Sequence, residues 1–295
     1  MENLSVITGL AAALCWGTSD YLSRNQSGRI GYYKTMVYSM LVTFVVLVVV
    51  TPVISPVLRV SVIPLVVLAV AGALNFVAFS FLYRAFHTGV VSVIAPVAYT
   101  YPAITTVLSI IILGTVLHSA EILAIAGIIV GVVLVSTRFS EIRLSLAGKG
   151  SAGLTAGFLS AAAASLFFGF VYVGVGYAAP LVSIVVPVMV LRIVGVSMGF
   201  ALAPAFKQST RPTKGVFSRG IVTMGILEAI GFLSLTYGIA IPGGSLPIVT
   251  AISGMGGAVA SGYGLVLLKE RLELNQIIGV ILSLIGVFTL LYLGA

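Results

Sequence analysis

The carboxyl-terminal stretch of the chain, residues 243–293, holds two apolar runs, each long enough to cross a lipid bilayer as a helix. The hydrocarbon core of a membrane needs about 20 apolar residues per helix. The charged segment 269–273, Lys-Glu-Arg-Leu-Glu, is all that separates the two runs. So short a connection predicts that the two helices are antiparallel neighbours in a membrane.

Composition extends this prediction to the whole chain. Of the 295 residues, 60% are hydrophobic and 7% are charged, whereas about a quarter of the residues in a soluble domain carry charge. We therefore predict an all-α, multi-pass membrane protein. No basic flank precedes the first apolar run, so we expect a retained helix there and not a signal peptide. The cations are too few and too dispersed for a nucleic-acid site, and Cys15 is the single cysteine, which excludes an internal disulfide.

Apolar runs bounded by charged residues or turn signals predict ten transmembrane helices. Two of the predicted breaks are short, at 87–89 and at 242–244. We expect two helices on either side of each break, because one helix of about 50 residues would be far longer than the bilayer is thick. The predicted spans are 4–23, 31–51, 61–86, 90–116, 120–137, 151–178, 181–204, 217–241, 244–268 and 272–293.

The two halves of the sequence resemble each other. Segment 120–127 aligns with 272–279, and segment 83–89 aligns with 237–243, with offsets that differ by only two residues. We therefore predict a duplicated unit of five helices, with the two copies joined near residues 145–150.

Positive charge predicts how the two copies lie in the membrane. If the ten spans are correct, 13 of the 15 Lys and Arg residues lie in loops at one face. Short basic loops stay cytoplasmic, so both termini are predicted to lie outside the cell membrane. Because five is an odd number, copies 1–145 and 146–295 must insert in opposite orientations. Inverted repeats of this kind recur in transporters, whose substrate site lies near the membrane midplane where the repeats meet.

Four short motifs resemble the EamA-like branch of the drug/metabolite transporter superfamily. They are Ala-Ala-Ala-Leu-Cys-Trp-Gly-Thr at 11–18, Tyr-Arg-Ala-Phe at 83–86, Tyr-Pro-Ala at 101–103 and Leu-Lys-Glu-Arg-Leu at 268–272. Taken together, the resemblance covers essentially the whole chain. The first copy departs from the family pattern at 114–118, where Gly-Thr-Val-Leu-His replaces a Gly-Glu-Arg-like turn. The resemblance implies a ten-helix carrier that moves small metabolites, often by export, without ATP hydrolysis.

Three ionisable residues lie within predicted spans, where charge is costly and therefore suggests a function. For Glu228, the functional alternative is a site that exchanges protons or binds a substrate amine. The structural alternative is a carboxyl group that forms a buried ion pair or stays protonated. Arg192 either pairs with Glu228 or Asp20, or holds a substrate carboxylate. Asp20 lies one helical turn from Arg24, so the alternative to a coupling role is a helix-surface pair between these two.

Aromatic and polar residues predict where a solute binds. Trp16-Gly17 in the first copy corresponds to Phe168-Gly169 in the second, with Tyr172 one turn further on. Such residues line an apolar pocket or pack in an aromatic core. Spans one, three, four, six, eight and nine hold nearly all the polar and kinking residues, so we expect them to surround a cavity that spans five and ten brace. The predicted substrate-binding residues are Trp16, Asn75, Phe79, Tyr83, Tyr101, Phe168, Tyr172, Glu228, Phe232 and Ser253.

These patterns favour a secondary transporter that exports small metabolites such as amino acids or related neutral, zwitterionic or aromatic solutes. Protons are a candidate coupling ion, no cofactor is expected, and the chain is predicted to act as a monomer or homodimer. A lipid scramblase or a structural membrane protein is the alternative. A membrane-embedded enzyme is less favoured, because His87, His118 and Cys15 offer no metal cluster or nucleophile–base pair, and no phosphate-binding loop is present.

Overall fold

The computed structural model describes residues 2–88, 97–137, 139, 151–268 and 273–293, and these residues are almost entirely α-helical, with no β-strand among them. A single 3-10 turn, Ala179–Leu181, follows the sixth helix. The helices of the described residues are α1 (Glu2–Ile30), α2 (Tyr32–Ile54), α3 (Val62–Thr88), α4 (Tyr101–Leu113), α5 (Ser119–Ser136), α6 (Ser151–Ala178), α7 (Val185–Ala201), α8 (Arg219–Ala240), α9 (Leu246–Ser253), α10 (Gly256–Leu268) and α11 (Leu274–Leu293).

Several of these helices are long and apolar enough to cross a membrane. Shorter apolar helices accompany them, among them α4, α5 and α7. Large apolar side chains such as Val49, Ile111, Leu123 and Phe288 are exposed on the outside of the bundle, as expected for a surface that faces lipid. The chain is a multi-pass membrane protein. The helices that meet both criteria in the described residues are Tyr32–Ile54, Val62–Ala85, Gly157–Leu181, Arg219–Ala240 and Leu274–Leu293.

The predicted ninth span, 244–268, contains a short turn at residues 254–255, which divides it into α9 and α10. Hydrogen bonds from the Gly254 and Met255 N–H groups to the Thr250 and Ile252 carbonyls cross this turn, and Gly254 keeps a right-handed helical conformation. A Cβ atom on Gly254 would lie 2.8 Å from Pro102 Cγ, and one on Gly256 would lie 3.3 Å from the carbonyl oxygen of Ala13. Glycine therefore lets α9 and α10 approach α4 and α1 at this point.

Boundaries of other predicted spans also shift. Helix α1 continues to Ile30, beyond the predicted end at residue 23, and α4 ends at Leu113 because Gly114 adopts a left-handed conformation with φ 67°. The predicted start of the fourth span at residue 90 lies outside the described residues, as does the predicted junction between the repeats at 145–150.

The most extensive helix contacts join one half of the chain to the other. Helix α3 packs on α6, α8 packs on α1, and α5 packs on α11. Next in extent are α3 with α7 and α8 with α2. If α1, α2 and α3 correspond to α6, α7 and α8, each contact of α3 with the second half is repeated by a contact of α8 with the first. The core therefore lies between the halves.

Two of the loops that the charge pattern assigns to one membrane face, the one after α1 and the one before α8, lie together at one end of the bundle. There the Ser218 hydroxyl, just before α8, donates to Gln26 Oε1 near the end of α1 at 2.9 Å. The loop of Arg59 lies instead with the loop of Ser183, whose backbone N–H donates to the Arg59 carbonyl at 3.0 Å. This grouping agrees with the predicted order of crossings, and the cytoplasmic assignment of the basic end stays a prediction.

Candidate functional site

A cavity of about 50 Å³ lies between α1, α3, α6, α8 and the start of α4. Its lining is mostly apolar with a few polar groups, as in ligand pockets, but pockets that enclose a ligand commonly measure about 300–1,000 Å³. This cavity, called here the aromatic cavity, must therefore widen before it can enclose a metabolite. It is lined by Trp16, Asp20, Phe79, Leu82, Ala98, Tyr99, Tyr101, Phe168, Tyr172, Glu228 and Phe232.

Its wall is a continuous set of ring contacts contributed by both halves. The Tyr172 ring lies 6.0 Å from Trp16 and 5.0 Å from Tyr101, measured between centroids, and Phe168 lies 6.1 Å from Tyr101. Trp16 also meets Phe232 edge-on at 4.9 Å. Tilted and edge-to-face arrangements are favourable for aromatic pairs, so each ring is held in place by its neighbours.

The glycine after each central aromatic residue explains how these rings are positioned. A Cβ on Gly17 would lie 2.5 Å from the Gly256 carbonyl oxygen, so α1 touches the α9–α10 break. A Cβ on Gly169 would clash with Ile104 of α4. Each glycine therefore allows its helix to pack tightly against a helix of the other half, which leaves the adjacent Trp16 or Phe168 facing the cavity.

A buried ion pair lies beside this wall. Arg192 Nη2 of α7 is 2.7 Å from Glu228 Oε2 of α8, and the Arg192 side chain is 1% exposed. The Ser19 hydroxyl donates to Glu228 Oε1 at 3.2 Å, and Arg192 Nη1 donates to Asn75 Oδ1 at 3.4 Å. Of the two pairings that the sequence suggests for Arg192, the structure contains the one with Glu228.

Two phenylalanine rings separate Arg192 from the aromatic cavity. Its guanidinium carbon lies 4.5 Å from the centroid of Phe232 and 5.4 Å from that of Phe79. On the Arg192 side of these rings is a second, narrow cavity that leaves no room for a water molecule. Glu228 borders both cavities. The smaller one is lined by Met36, Ser39, Met40, Thr43, Phe79, Tyr83, Arg192 and Glu228.

Asp20 of α1 is the second carboxyl group, beside Glu228, that lines the aromatic cavity. The Tyr99 hydroxyl donates a hydrogen bond to Asp20 Oδ2. The alternative pairing of Asp20 with Arg24 falls outside what the structure describes, since the Arg24 side chain is not among the described groups. The sequence analysis did not predict that Tyr99 lines the cavity. Its position two residues before Tyr101 could have suggested this, but no helical periodicity links Tyr99 to Asp20, which lies 79 residues away.

Most of the predicted substrate-binding residues converge on the aromatic cavity, and three lie elsewhere. Tyr83 borders the smaller cavity. Asn75 and Ser253 are fully buried behind the walls, where Asn75 accepts from Arg192 and the Ser253 hydroxyl lies 3.1 Å from the Tyr101 hydroxyl. The seven that line the aromatic cavity are Trp16, Phe79, Tyr101, Phe168, Tyr172, Glu228 and Phe232.

The helices around the two cavities differ from those expected. Helix α9 reaches the aromatic cavity only through the contact of Ser253 with Tyr101. Helices α2 and α7, which the sequence reasoning left out, supply Met36 and Arg192 to the smaller cavity. The reason is that α7 carries its one charged residue inward, and α2 packs against it.

Comparison with known proteins agrees with this architecture. Residues 3–137 match the EamA-like transporter family. The matched residues make up a little under half of the chain. The match confirms the resemblance to that branch of the drug/metabolite transporter superfamily that the four motifs indicate.

Two further similarities accompany the family match. An uncharacterized protein of Methanocaldococcus jannaschii is 30% identical to this chain over 102 residues, which are 35% of this chain and 72% of that protein. A protein of known crystal structure shares the fold with a TM-score of 0.77 over 97% of both chains, at 17% identity. The likeness in structure shows the fold alone, and the family is one of transporters.

Proposed function

We propose that this protein is a secondary carrier that moves small metabolites across the cell membrane by alternating access, in the direction of export. The observation that carries the proposal is the aromatic cavity, whose wall is built by both halves of the chain. Trp16 and Phe79 come from the first half, and Phe168, Tyr172 and Phe232 come from the second. A site shared by two units can open to either side as the units rock against each other.

The two units are proposed to be inverted repeats, residues 1–145 and 146–295. The exchange of contacts between the halves, in which α3 packs on α6 as α8 packs on α1, supports this arrangement. So does the odd number of predicted helices per unit, because homologous units with five crossings must insert in opposite directions. The pair formed by α5 and α11 packs mainly on itself, in keeping with a bracing role.

The proposed substrates are small neutral, zwitterionic or aromatic solutes, such as amino acids and related compounds. Stacking against Tyr101, Phe168 and Tyr172 favours a flat or apolar body. Phosphorylated compounds generally need clustered Lys and Arg, and the one cation beside these cavities in the described structure, Arg192, is paired with Glu228. Protons are the proposed coupling ion, with Glu228 as the group that exchanges them.

Uptake into liposomes that contain the purified protein tests the carrier proposal. Phe168→Ala removes a ring that lines the aromatic cavity and is 6% exposed, whereas Phe288→Ala removes a ring that is 65% exposed on α11. We expect Phe168→Ala to lower the initial rate of uptake of aromatic amino acids by about tenfold or more, since a stacked ring contributes about 1 kcal/mol beyond its burial. Phe288→Ala serves as the matched control and keeps the wild-type rate.

Equal loss in both variants would mean that the aromatic cavity is not the route. Liposomes that take up no member of a panel of amino acids and related solutes, but that exchange labelled lipid between leaflets, would favour a scramblase instead.

A further inference from the structure

The aromatic cavity has an unequal balance of charge. Its lining includes two carboxyl groups, those of Asp20 and Glu228, and no Lys or Arg among the described residues. Glu228 already bonds to Arg192 and Ser19. Asp20 bonds to the hydroxyl of Tyr99, which is a neutral partner. Among the lining side chains that the structure describes, the Asp20 carboxyl group therefore has no cationic partner.

The positive charge of Arg192 does not correct this imbalance within the aromatic cavity. Its guanidinium lies against the rings of Phe79 and Phe232, at 5.4 and 4.5 Å from their centroids, and it borders the smaller cavity instead. A solute carboxylate in the aromatic cavity would thus meet phenylalanine rings and the carboxyl group of Asp20, and no guanidinium belongs to the described lining. Anionic groups are disfavoured there.

The rings around Asp20 suit a cation. Trp16 lies one helical turn before Asp20 on α1, so both side chains project from the same face. Tyr99 lies beside Asp20, and its ring centroid is 6.4 Å from that of Tyr101. Ring faces attract ammonium groups, more strongly where water is excluded. Aromatic rings next to an acceptor carboxylate are the groups that recognise an organic ammonium ion.

We propose that the aromatic cavity selects amines, that is, solutes with an ammonium group on an apolar or aromatic body. Asp20 accepts the N–H donors of the ammonium, and Trp16, Tyr101 and Tyr172 contact the body. The inference rests on the proposed carrier function and narrows its substrate class from neutral or zwitterionic solutes to cationic ones. It also moves the amine-binding role, which the sequence suggested for Glu228, to Asp20, because Glu228 is held by Arg192.

The single tryptophan of the chain makes this proposal directly measurable, because Trp16 lines the aromatic cavity. Its fluorescence in the purified protein is titrated with four probes that share one body and differ in charge: 2-phenylethylamine, phenylalanine, 3-phenylpropionate and 2-phenylethanol. We expect 2-phenylethylamine to bind at least about tenfold more tightly than 2-phenylethanol, and 3-phenylpropionate to bind most weakly. A hydrogen bond to a charged group accounts for a difference of this size.

Substitution of Asp20 assigns the effect to its carboxylate. Asp20→Asn is expected to weaken 2-phenylethylamine binding by about 10- to 100-fold, with 2-phenylethanol binding unchanged. The retained binding of 2-phenylethanol also shows that the variant is folded. Asp20→Glu keeps the charge and restores part of the preference for the amine. Glu121→Gln, which removes a carboxylate on α5 outside both cavities, is the matched control and keeps all four affinities.

The selectivity proposal is overturned if 2-phenylethylamine gives no fluorescence response, if it binds no better than the alcohol, or if Asp20→Asn weakens all four probes equally. Tightest binding by phenylalanine or 3-phenylpropionate also overturns it. The carrier function is judged separately, by flux through liposomes. Transport of anionic or zwitterionic solutes would support the carrier function and contradict amine selectivity. Binding of the amine without transport of any solute would support amine selectivity and contradict the carrier function.

Discussion

At the scale of single residues, the Arg192–Glu228 pair is the strongest interaction beside the cavities. Both side chains are removed from water, and Nη2 lies 2.7 Å from Oε2. Taking away one partner of a buried pair leaves the other charge without compensation, at a cost of about 3–5 kcal/mol. Because Glu228 borders both cavities, a proton that binds to it would weaken its hold on Arg192 and alter both cavities at once.

Glu228→Gln is expected to abolish the effect of a pH gradient on uptake, because the amide cannot exchange a proton. The measurement is the ratio of uptake rates with and without a pH gradient across the liposomes. This ratio does not depend on how much of the variant is active, so the lower stability expected from an unpaired Arg192 does not disturb it. Glu121→Gln provides the control. A ratio equal to that of the wild type would remove Glu228 from any coupling role.

At the scale of helices, glycine decides which elements come close. Gly17 brings α1 against the break between α9 and α10, and Gly169 brings α6 against α4. In both halves an aromatic residue precedes the glycine. The glycine allows tight packing on one face of the helix, and the aromatic residue places a ring on the neighbouring face, which lines the cavity. Interrupted helices at membrane depth are a recurrent feature of transporter sites.

Gly17→Ala tests this close approach, with Gly28→Ala in the same helix as its control. The new Cβ at residue 17 would lie 2.5 Å from a backbone oxygen of Gly256, whereas a Cβ at residue 28 would meet nothing within 4 Å. Overpacking typically costs about 1–3 kcal/mol, so we expect Gly17→Ala to lower the thermal midpoint of unfolding in detergent and to shift the fluorescence of the adjacent Trp16. Gly28→Ala should change neither. Identical behaviour of the two variants would show that α1 and α10 are not packed as described.

At the scale of the whole molecule, the two halves contribute jointly to one core and one cavity. Contacts of α3 with the second half are mirrored by contacts of α8 with the first. The ends of the bundle are equally distinct. The Gln26–Ser218 contact marks the end that carries the basic residues around the α1–α2 and α7–α8 connections, and the Arg59–Ser183 contact marks the other. Whether the chain works as a monomer or a homodimer stays a prediction.

The charge asymmetry predicts an orientation for the whole chain, with the basic end in the cytoplasm and both termini outside. A reporter that is active only outside the cytoplasm should be active when fused to the carboxyl terminus. The same reporter inserted into the basic segment 207–214 should be inactive, which makes this insertion the matched control. Activity with the opposite pattern would reverse the orientation and, with it, the side to which the cavity opens.

The sequence by itself determined the helical membrane class, the resemblance to EamA-like transporters that the match over residues 3–137 supports, and most of the cavity's aromatic residues. These depend on local properties: the length of an apolar run, a ring next to a glycine, and a charge within a span. Trp16-Gly17 and Phe168-Gly169 could therefore be recognised without knowing which helices pack together.

Only the tertiary structure decided which charges pair and which residues meet the cavity. In the structure Arg192 pairs with Glu228, and Tyr99 donates a hydrogen bond to Asp20. Asn75 and Ser253 lie behind the cavity wall, and a turn divides the predicted ninth span into α9 and α10. Each of these outcomes depends on the rotation and contact of helices distant in sequence. Spacing along one helix fixes the face on which a side chain lies, but the neighbour that this face meets follows from the packing of the two halves.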